Sequence, residues 1–319
     1  MRVILIGTGP FAAPAFRQLY STYHNIVALV TSPLRLHRGK EPPPVSLMRD
    51  LAHEHTTPIF DPENINTPES QEQLSQFNPD LMVVCDYGQI LASPTLATAQ
   101  LGGINLHASL LPKYRGAAPI NWAIYNGETK TGVTVIHMTP KVDAGPCIGQ
   151  AETAIDPEET SVDLEKRLAE LGAWLVLRTI DALKTGSLEA LAQNPALASK
   201  APRLKKTDGL IDWSRPAAAI KNQVRALEPW PKTYTFWHRQ IGTPMRLIFG
   251  PVAVENHEDH IASGVPGTVL EAQEGQLLIA AGSGVVAPKS IQPVGKRLMS
   301  IDEFLRGHHV RPGDMFGAE

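Results

Sequence analysis

Arg2-Val3-Ile4-Leu5-Ile6-Gly7-Thr8-Gly9-Pro10-Phe11-Ala12 is the stretch on which the fold turns. Residues 3–6 are four apolar side chains in a row, three of them β-branched, with no polar residue to mark an exposed face. A strand written that way is covered on both sides, as in a parallel sheet. The glycines and proline that follow turn the chain into a helical pattern over 11–20. Comparable runs recur at residues 26–30, 81–85, 104–106 and 133–136, with helical patterns near 45–54, 69–77 and 116–125 between them. That βαβ alternation predicts an α/β domain built on a doubly wound, mostly parallel, Rossmann-like sheet, with ligands at the carboxyl ends of its strands.

The same glycines fit the G-x-G-x-x-A pattern of a dinucleotide site. Such a site wants an acidic residue at the end of the second strand, to hold ribose hydroxyls. Val30-Thr31-Ser32 stands there instead, so the glycines read as a tight strand-to-helix turn. The chain has 319 residues, 43% of them hydrophobic and 19% charged, which suits a globular protein of about two domains. No apolar run nears the roughly 20 residues of a membrane span. The opening apolar stretch is too short for a secretory signal, and two cysteines, Cys85 and Cys147, build no disulfide framework. A cytoplasmic protein is expected, with no membrane and no obligatory protein partner.

Thr160 and Asp163 form a capping-box pattern ahead of Leu164, Leu168, Leu171 and Leu175, so a long helix with a buried stripe is expected there. The Ala-rich stretch from Leu188, with Asn194-Pro195, reads as a crossing between domains. Beyond it lie a short helical pattern at 216–226 and strand-like runs at 234–237, 245–249, 268–270, 276–280 and 285–286. Short strands with frequent Gly/Pro turns predict a small OB-like β-barrel. The expected limits are a catalytic domain over 1–187, a linker over 188–205 and a barrel over 206–319. Net charge is −3, but unevenly spread: residues 201–319 carry 14 Lys/Arg against 12 Asp/Glu, and residues 1–200 carry 15 against 20. Between Arg203 and Arg246 the count is nine basic to three acidic, a stripe suited to a polyanionic partner.

The chemistry concentrates in Asn105-Leu106-His107-Ala108-Ser109-Leu110-Leu111-Pro112-Lys113-Tyr114-Arg115-Gly116. Alternation along a strand sends Asn105 and His107 to one face at its carboxyl end. An amide NH₂ there donates to a developing oxyanion. A neighbouring imidazole takes or gives a proton near neutrality. Asp143, after the strand at 133–138, is the carboxylate placed to orient that imidazole. His257-Glu258-Asp259-His260 and His308-His309 lack metal-site spacing, and no metal is expected.

This string resembles the folate-dependent formyltransferases, whose signature runs Asn-x-His-x-Ser-Leu-Leu-Pro-x-x-Arg-Gly with a later Asp-x-Gly. Each part is present: Asn105, His107, Ser109-Leu110-Leu111-Pro112, Arg115-Gly116 and Asp143-Ala144-Gly145. The resemblance implies Asn105, His107 and Asp143 as the catalytic trio and 10-formyltetrahydrofolate as formyl donor. It implies Ser109, Leu110, Leu111 and Pro112 as one wall of the folate site. Asp86-Tyr87-Gly88-Gln89-Ile90-Leu91 resembles the loop beside the pterin, so Asp86, Tyr87, Gly88 and Ile90 are expected there. The similarity runs nearly end to end and is nearest to the members that act on initiator methionyl-tRNA. Arg38-Gly39-Lys40 resembles their basic loop, and with Lys205 and Lys206 is expected to contact RNA. Asp143-Ala144-Gly145 and Thr207-Asp208-Gly209 also resemble members that formylate amino-sugar nucleotides, which stays open as the alternative.

Overall fold

The computed structural model describes residues 1–34, 46–239, 242–255, 265–273 and 275–319, which form two compact units. The first unit comprises Met1–Pro119, Lys130–Ala154 and Leu164–Pro202; the second comprises Ile120–Thr129, Ile155–Asp163 and Arg203–Glu319.

In chain order, the strands of the first unit are β1 (Arg2–Gly7), β2 (Asn25–Val30), β3 (Ile59–Phe60), β4 (Leu81–Cys85), β5 (Gly103–His107), β6 (Arg115–Gly116), β7 (Lys130–His137), β8 (Cys147–Ala154) and β9 (Lys200–Ala201). The helices over residues 1–185 are α1 (Ala13–Tyr20), α2 (Leu47–Glu54), α3 (Pro68–Gln76), α4 (Ser93–Leu96), α5 (Pro119–Tyr125), which falls almost wholly in the second unit, and α6 (Ser161–Thr185). Seven strands make one sheet in the order β3-β2-β1-β4-β5-β7-β8. The pairs from β3 to β5 are parallel. The strand order reverses direction between β1 and β4, and a ligand crevice opens at the carboxyl ends of the strands around such a point. Val3 to Ile6 and Leu81 to Cys85 are almost wholly buried, as their unbroken apolar runs require.

The run at 133–136 lies in β7, which pairs antiparallel with both β5 and β8. Both faces of β7 are covered, so its sequence carries no alternation that would reveal direction. The edge strand β8 alternates half-buried and exposed positions and was not legible as a strand. The capping box at the start of α6 is present: Asp163 accepts from the Thr160 N–H at 3.1 Å, and Thr160 Oγ1 accepts from the Asp163 N–H at 3.3 Å. Leu164, Leu168 and Leu175 of α6 are buried. The helix lies against β5 through Gly172, where a Cβ would come within 2.6 Å of Leu106 Cδ2. Residues 188–202 are tied into the first unit. Leu191 exchanges two 2.8 Å backbone hydrogen bonds with Cys147, and β9 pairs parallel with β6.

In the second unit, α7 (Ala217–Ala226) precedes β10 (Thr233–His238), β11 (Met245–Phe249), β12 (Val252–Glu255), β13 (Val269–Gln273), β14 (Gln276–Ala280), β15 (Val285–Pro288), β16 (Ser290–Pro293) and β17 (Met299–Ser300), followed by α8 (Ile301–Gly307) and β18 (Met315–Gly317). The named strands form two antiparallel sheets, β17-β16-β11-β10-β18 and β12-β15-β14-β13. Gly250-Pro251 carries β11 into β12 and Lys289 carries β15 into β16, with the hydrogen bonds Gly250 N–H to Ser290 O and Lys289 N–H to Pro251 O holding the two bends together. A bridge between Thr268 and Met315 joins β13 to β18. The pairings therefore run in a closed circuit, a small barrel. Its core includes Trp213, Trp237, Leu247, Phe249, Ile279, Phe304 and Phe316. The indole N–H groups of Trp213 and Trp237 are satisfied by Thr235 Oγ1 and Asp314 Oδ2, each at 3.0 Å.

A capping box starts α8: Ser300 Oγ accepts from the Glu303 N–H, and Glu303 Oε2 accepts from the Ser300 N–H. Ser300→Ala is expected to destabilise the second unit by about 1 kcal/mol in urea unfolding followed by barrel tryptophan fluorescence. An unchanged midpoint would mean that Phe304 packing alone holds the helix.

Candidate active site

The site is built at the carboxyl ends of β4 and β5. Asn105 and His107 sit two apart on β5 and so share a face. The Asn105 side chain is half-buried, and among the described residues its amide has no hydrogen-bond partner. His107 is buried, its side chain 6% exposed. Its Nε2 lies 2.9 Å from the Tyr114 carbonyl oxygen. A carbonyl only accepts, so Nε2 carries a proton. Nδ1 faces Asp143 Oδ2 at 3.6 Å. The carboxylate thus stands on the Nδ1 side of the ring and the Tyr114 carbonyl on the Nε2 side.

The loop after β5 supplies the Tyr114 carbonyl. Ser109 is fully buried and its Oγ donates to Lys113 O at 2.7 Å, closing the turn. Thr134 of β7 braces the same loop: its hydroxyl donates to Ser109 O and accepts from the Leu111 N–H. Gln150 of β8 donates to Leu111 O at 3.1 Å. Leu111 is buried, while Leu110 and Pro112 are half-buried. Tyr114 has φ +63, and its N–H donates to Ser199 Oγ at 2.9 Å. That left-handed backbone is strained for a residue with a Cβ. It is what turns the Tyr114 carbonyl onto the imidazole.

Asp143 also has a left-handed backbone, with φ +48. Its Oδ2 accepts from the Gly116 N–H at 2.8 Å. Gly145 lets the loop press onto the end of β7, since a Cβ there would lie 1.7 Å from His137 O. Gln193, from the stretch read as a linker, hydrogen-bonds to the Asp143 and Gly145 carbonyls and accepts from Arg115. Nothing in the sequence singled out Gln193, Thr134 or Gln150. Their roles come from contacts that join distant segments.

At the end of β4, Asp86 takes φ +51, and its carbonyl accepts from both the N–H and the hydroxyl of Thr8. A Cβ on Gly9 would overlap the Asp86 carboxyl at 1.6 Å, and one on Gly7 would meet Cys85 O at 2.6 Å. The opening glycines thus make room for the end of β4 rather than for a phosphate. Asp86 opens to solvent on one side, yet the protein crowded around its carboxyl pushes it above the usual carboxylate range. Glu165 of α6 is pushed up too, first by burial and then by the Asp86 charge. Burial raises the Tyr87 phenol to about 12, and its buried hydroxyl has no hydrogen-bond partner among the described residues. A Cβ on Gly88 would meet open space, and Ile90 is 58% exposed.

In the second unit Arg203, Lys205 and Lys206 are all exposed. Arg38 and Lys40, expected to contact RNA, lie outside the described residues, as do His257-Glu258-Asp259-His260. Among the described residues, no group of three or more His, Cys, Asp or Glu side chains is placed to hold a metal ion. The His308 ring packs 4.6 Å from that of Phe304 and edge-on to Trp237, because α8 delivers it to the rim of the barrel core. Trp230 stands 49% exposed, unlike the two core tryptophans of its unit. No described helix is long and apolar enough to cross a membrane.

Comparison with known proteins agrees with this geometry. Residues 1–180 match the formyl transferase family, and residues 203–309 match the formyl transferase C-terminal domain. The chain is 40% identical to a methionyl-tRNA formyltransferase of Citrifermentans bemidjiense, covering 99% of this chain and 96% of that one. It is 43% identical to a methionyl-tRNA formyltransferase of Rhodopirellula baltica, covering 98% and 96%. Among solved structures, the N-formyltransferase from Helicobacter canadensis, in complex with folinic acid and dTDP-3-aminofucose, has the same fold, with a TM-score of 0.65 at 18% identity over 90% of this chain and 99% of that one. With matches of this length and both domains represented, the chain belongs to the formyl transferase family, among its methionyl-tRNA formyltransferases.

Proposed function

We propose that this chain transfers the formyl group of 10-formyltetrahydrofolate to the α-amino group of methionine on initiator methionyl-tRNA, in the cytoplasm where translation starts. The observation that carries the chemistry is the Asn105 amide, without a partner among the described residues, on the same strand face as His107, which Asp143 faces. The amine attacks the formyl carbon, and the carbonyl oxygen becomes an oxyanion. The Asn105 NH₂ donates to it, beside the His107 ring that Asp143 faces. As the intermediate collapses, the C–N10 bond breaks. The proton lost by the amine passes to the leaving folate nitrogen, with the His107–Asp143 pair assisting the transfer. No covalent enzyme intermediate is required, because a deprotonated amine is already nucleophilic.

For the donor, the residues present suit a pterin. Asp86 and Gly88 offer carboxyl and backbone groups for a heterocycle's polar edge, and Ile90, Leu110 and Pro112 offer a largely apolar wall, with the buried Tyr87 hydroxyl, Ser109 and Leu111 supporting these segments from within. The decisive assay offers methionyl initiator tRNA and an amino-sugar nucleotide in parallel, with 10-formyltetrahydrofolate. Formyl on the tRNA is the expected result. Formyl only on the sugar would overturn the acceptor assignment while keeping the chemistry.

Lys205 and Lys206, with Arg38 and Lys40, are the proposed RNA contacts. Lys205→Ala/Lys206→Ala is expected to weaken methionyl-tRNA binding at low salt. It should also make the slope of log K against log salt shallower by roughly two, one for each phosphate that a lysine no longer neutralises. An unchanged slope would remove both lysines from the interface.

A further inference from the structure

Between Glu189 and Lys200 the chain is exposed at every residue except Gln193. That one side chain is half-buried and fully hydrogen-bonded. Its carboxamide NH₂ donates to Asp143 O at 2.8 Å and to Gly145 O at 2.7 Å. Its Oε1 accepts from Arg115 Nε at 3.1 Å and from Arg115 Nη2 at 2.6 Å. Two donors and two lone pairs exhaust the capacity of an amide. The orientation of the amide is dictated as well, because its two carbonyl partners only accept and the guanidinium only donates.

These four bonds join the two segments that hold the Asp143 carboxylate. One is the loop carrying Asp143 itself, which bends through φ +48 and Gly145. The other is Arg115-Gly116, whose second residue donates its N–H to Asp143 Oδ2 at 2.8 Å. Gln193 reaches both from a strip anchored beside β8 by the paired Leu191 and Cys147 backbones. The carboxylate stands 3.6 Å from His107 Nδ1, beyond hydrogen-bond length, so no direct bond between the two side chains fixes that spacing.

We propose that Gln193 is a positioning residue for the transfer reaction: it sets the place of the Asp143 carboxylate opposite His107 by clamping the Asp143 loop to Arg115-Gly116. The inference rests on the formyl-transfer reading for its kinetic consequence, but not for its structural one.

Two variants and two measurements separate the outcomes. Gln193→Leu removes all four bonds at similar volume. Gln193→Glu keeps the acceptor for Arg115 but sets a carboxylate against the two carbonyls. Both are expected to lower kcat roughly 10- to 100-fold with KM for folate and tRNA changed less than about threefold, as for displacement of a catalytic group. In an Asp143→Asn background the same substitutions are expected to lower kcat further by less than about twofold, because residues acting through one group are non-additive. Equal losses in both backgrounds would make Gln193 merely structural and overturn the proposal, as would full activity of the single variants.

The second measurement needs no acceptor: the Gly116 amide proton, read by NMR in the full chain, reports its bond to the carboxylate. It is expected upfield in Gln193→Leu, toward its position in Asp143→Asn. A Gly116 resonance unmoved by Gln193→Leu would overturn the proposal even if methionyl-tRNA proved to be the wrong acceptor. Wild-type chain that formylates neither acceptor while the Gly116 shift appears as expected would instead overturn only the acceptor assignment.

Discussion

Asn105→Ala is expected to lower kcat roughly 100- to 1,000-fold, the loss typical of one oxyanion donor, equivalent to about 3–4 kcal/mol of transition-state stabilisation. The Asn105 amide has no partner among the described residues, so its donors are not already committed to the fold. Truncation leaves no buried group orphaned and should leave the melting temperature near that of the wild type. The effect should fall on kcat rather than KM, because the oxyanion exists only in the transition state and intermediate. Single-turnover transfer from 10-formyltetrahydrofolate to methionyl-tRNA, with substrates at saturation, measures it. A variant within about threefold of wild type would remove Asn105 from the oxyanion site.

Asp143→Asn should cost about as much, by a different route. The substitution preserves an oxygen for the Gly116 N–H, so the loop has the same anchor, but it removes the negative charge 3.6 Å from His107 Nδ1. With Tyr114 O holding the Nε2 proton, loss of the carboxylate leaves the Nδ1 side of the ring without the anion that orients it for proton transfer. The expectation is a 100-fold or greater fall in kcat at unchanged folate affinity, within the range of general acid–base contributions. Retention of more than about a tenth of wild-type turnover would mean that other groups orient the imidazole.

Much of this molecule was legible residue by residue. The strands at 3–6, 26–30, 81–85 and 104–106 were readable because a parallel strand covered on both faces must be apolar without interruption. The helix starting at Ser161 was readable because capping and a leucine stripe are local patterns. Asn105 and His107 were readable as a pair because strand alternation alone puts them on one face. The antiparallel direction of β7 was not legible, since a fully buried strand reads the same in either direction. Nor was β8, whose outer positions reach solvent and dilute the pattern.

The sequence by itself therefore determined most of the elements, the sheet class, the barrel and the proposed reacting groups, because these depend on side-chain period and chemistry over a few neighbouring positions. Only the tertiary structure decided how the groups are held. The Tyr114 carbonyl and the Gly116 amide reach the site through backbone, which carries no signature of its own in the residue letters. Gln193 lies 50 residues beyond Asp143, in a stretch whose composition reads as a connector, and acquires its partners when β8 and the β6–β9 ladder bring the two together. A hydrogen bond between segments so far apart depends on where the whole chain has gone, and no local pattern encodes that.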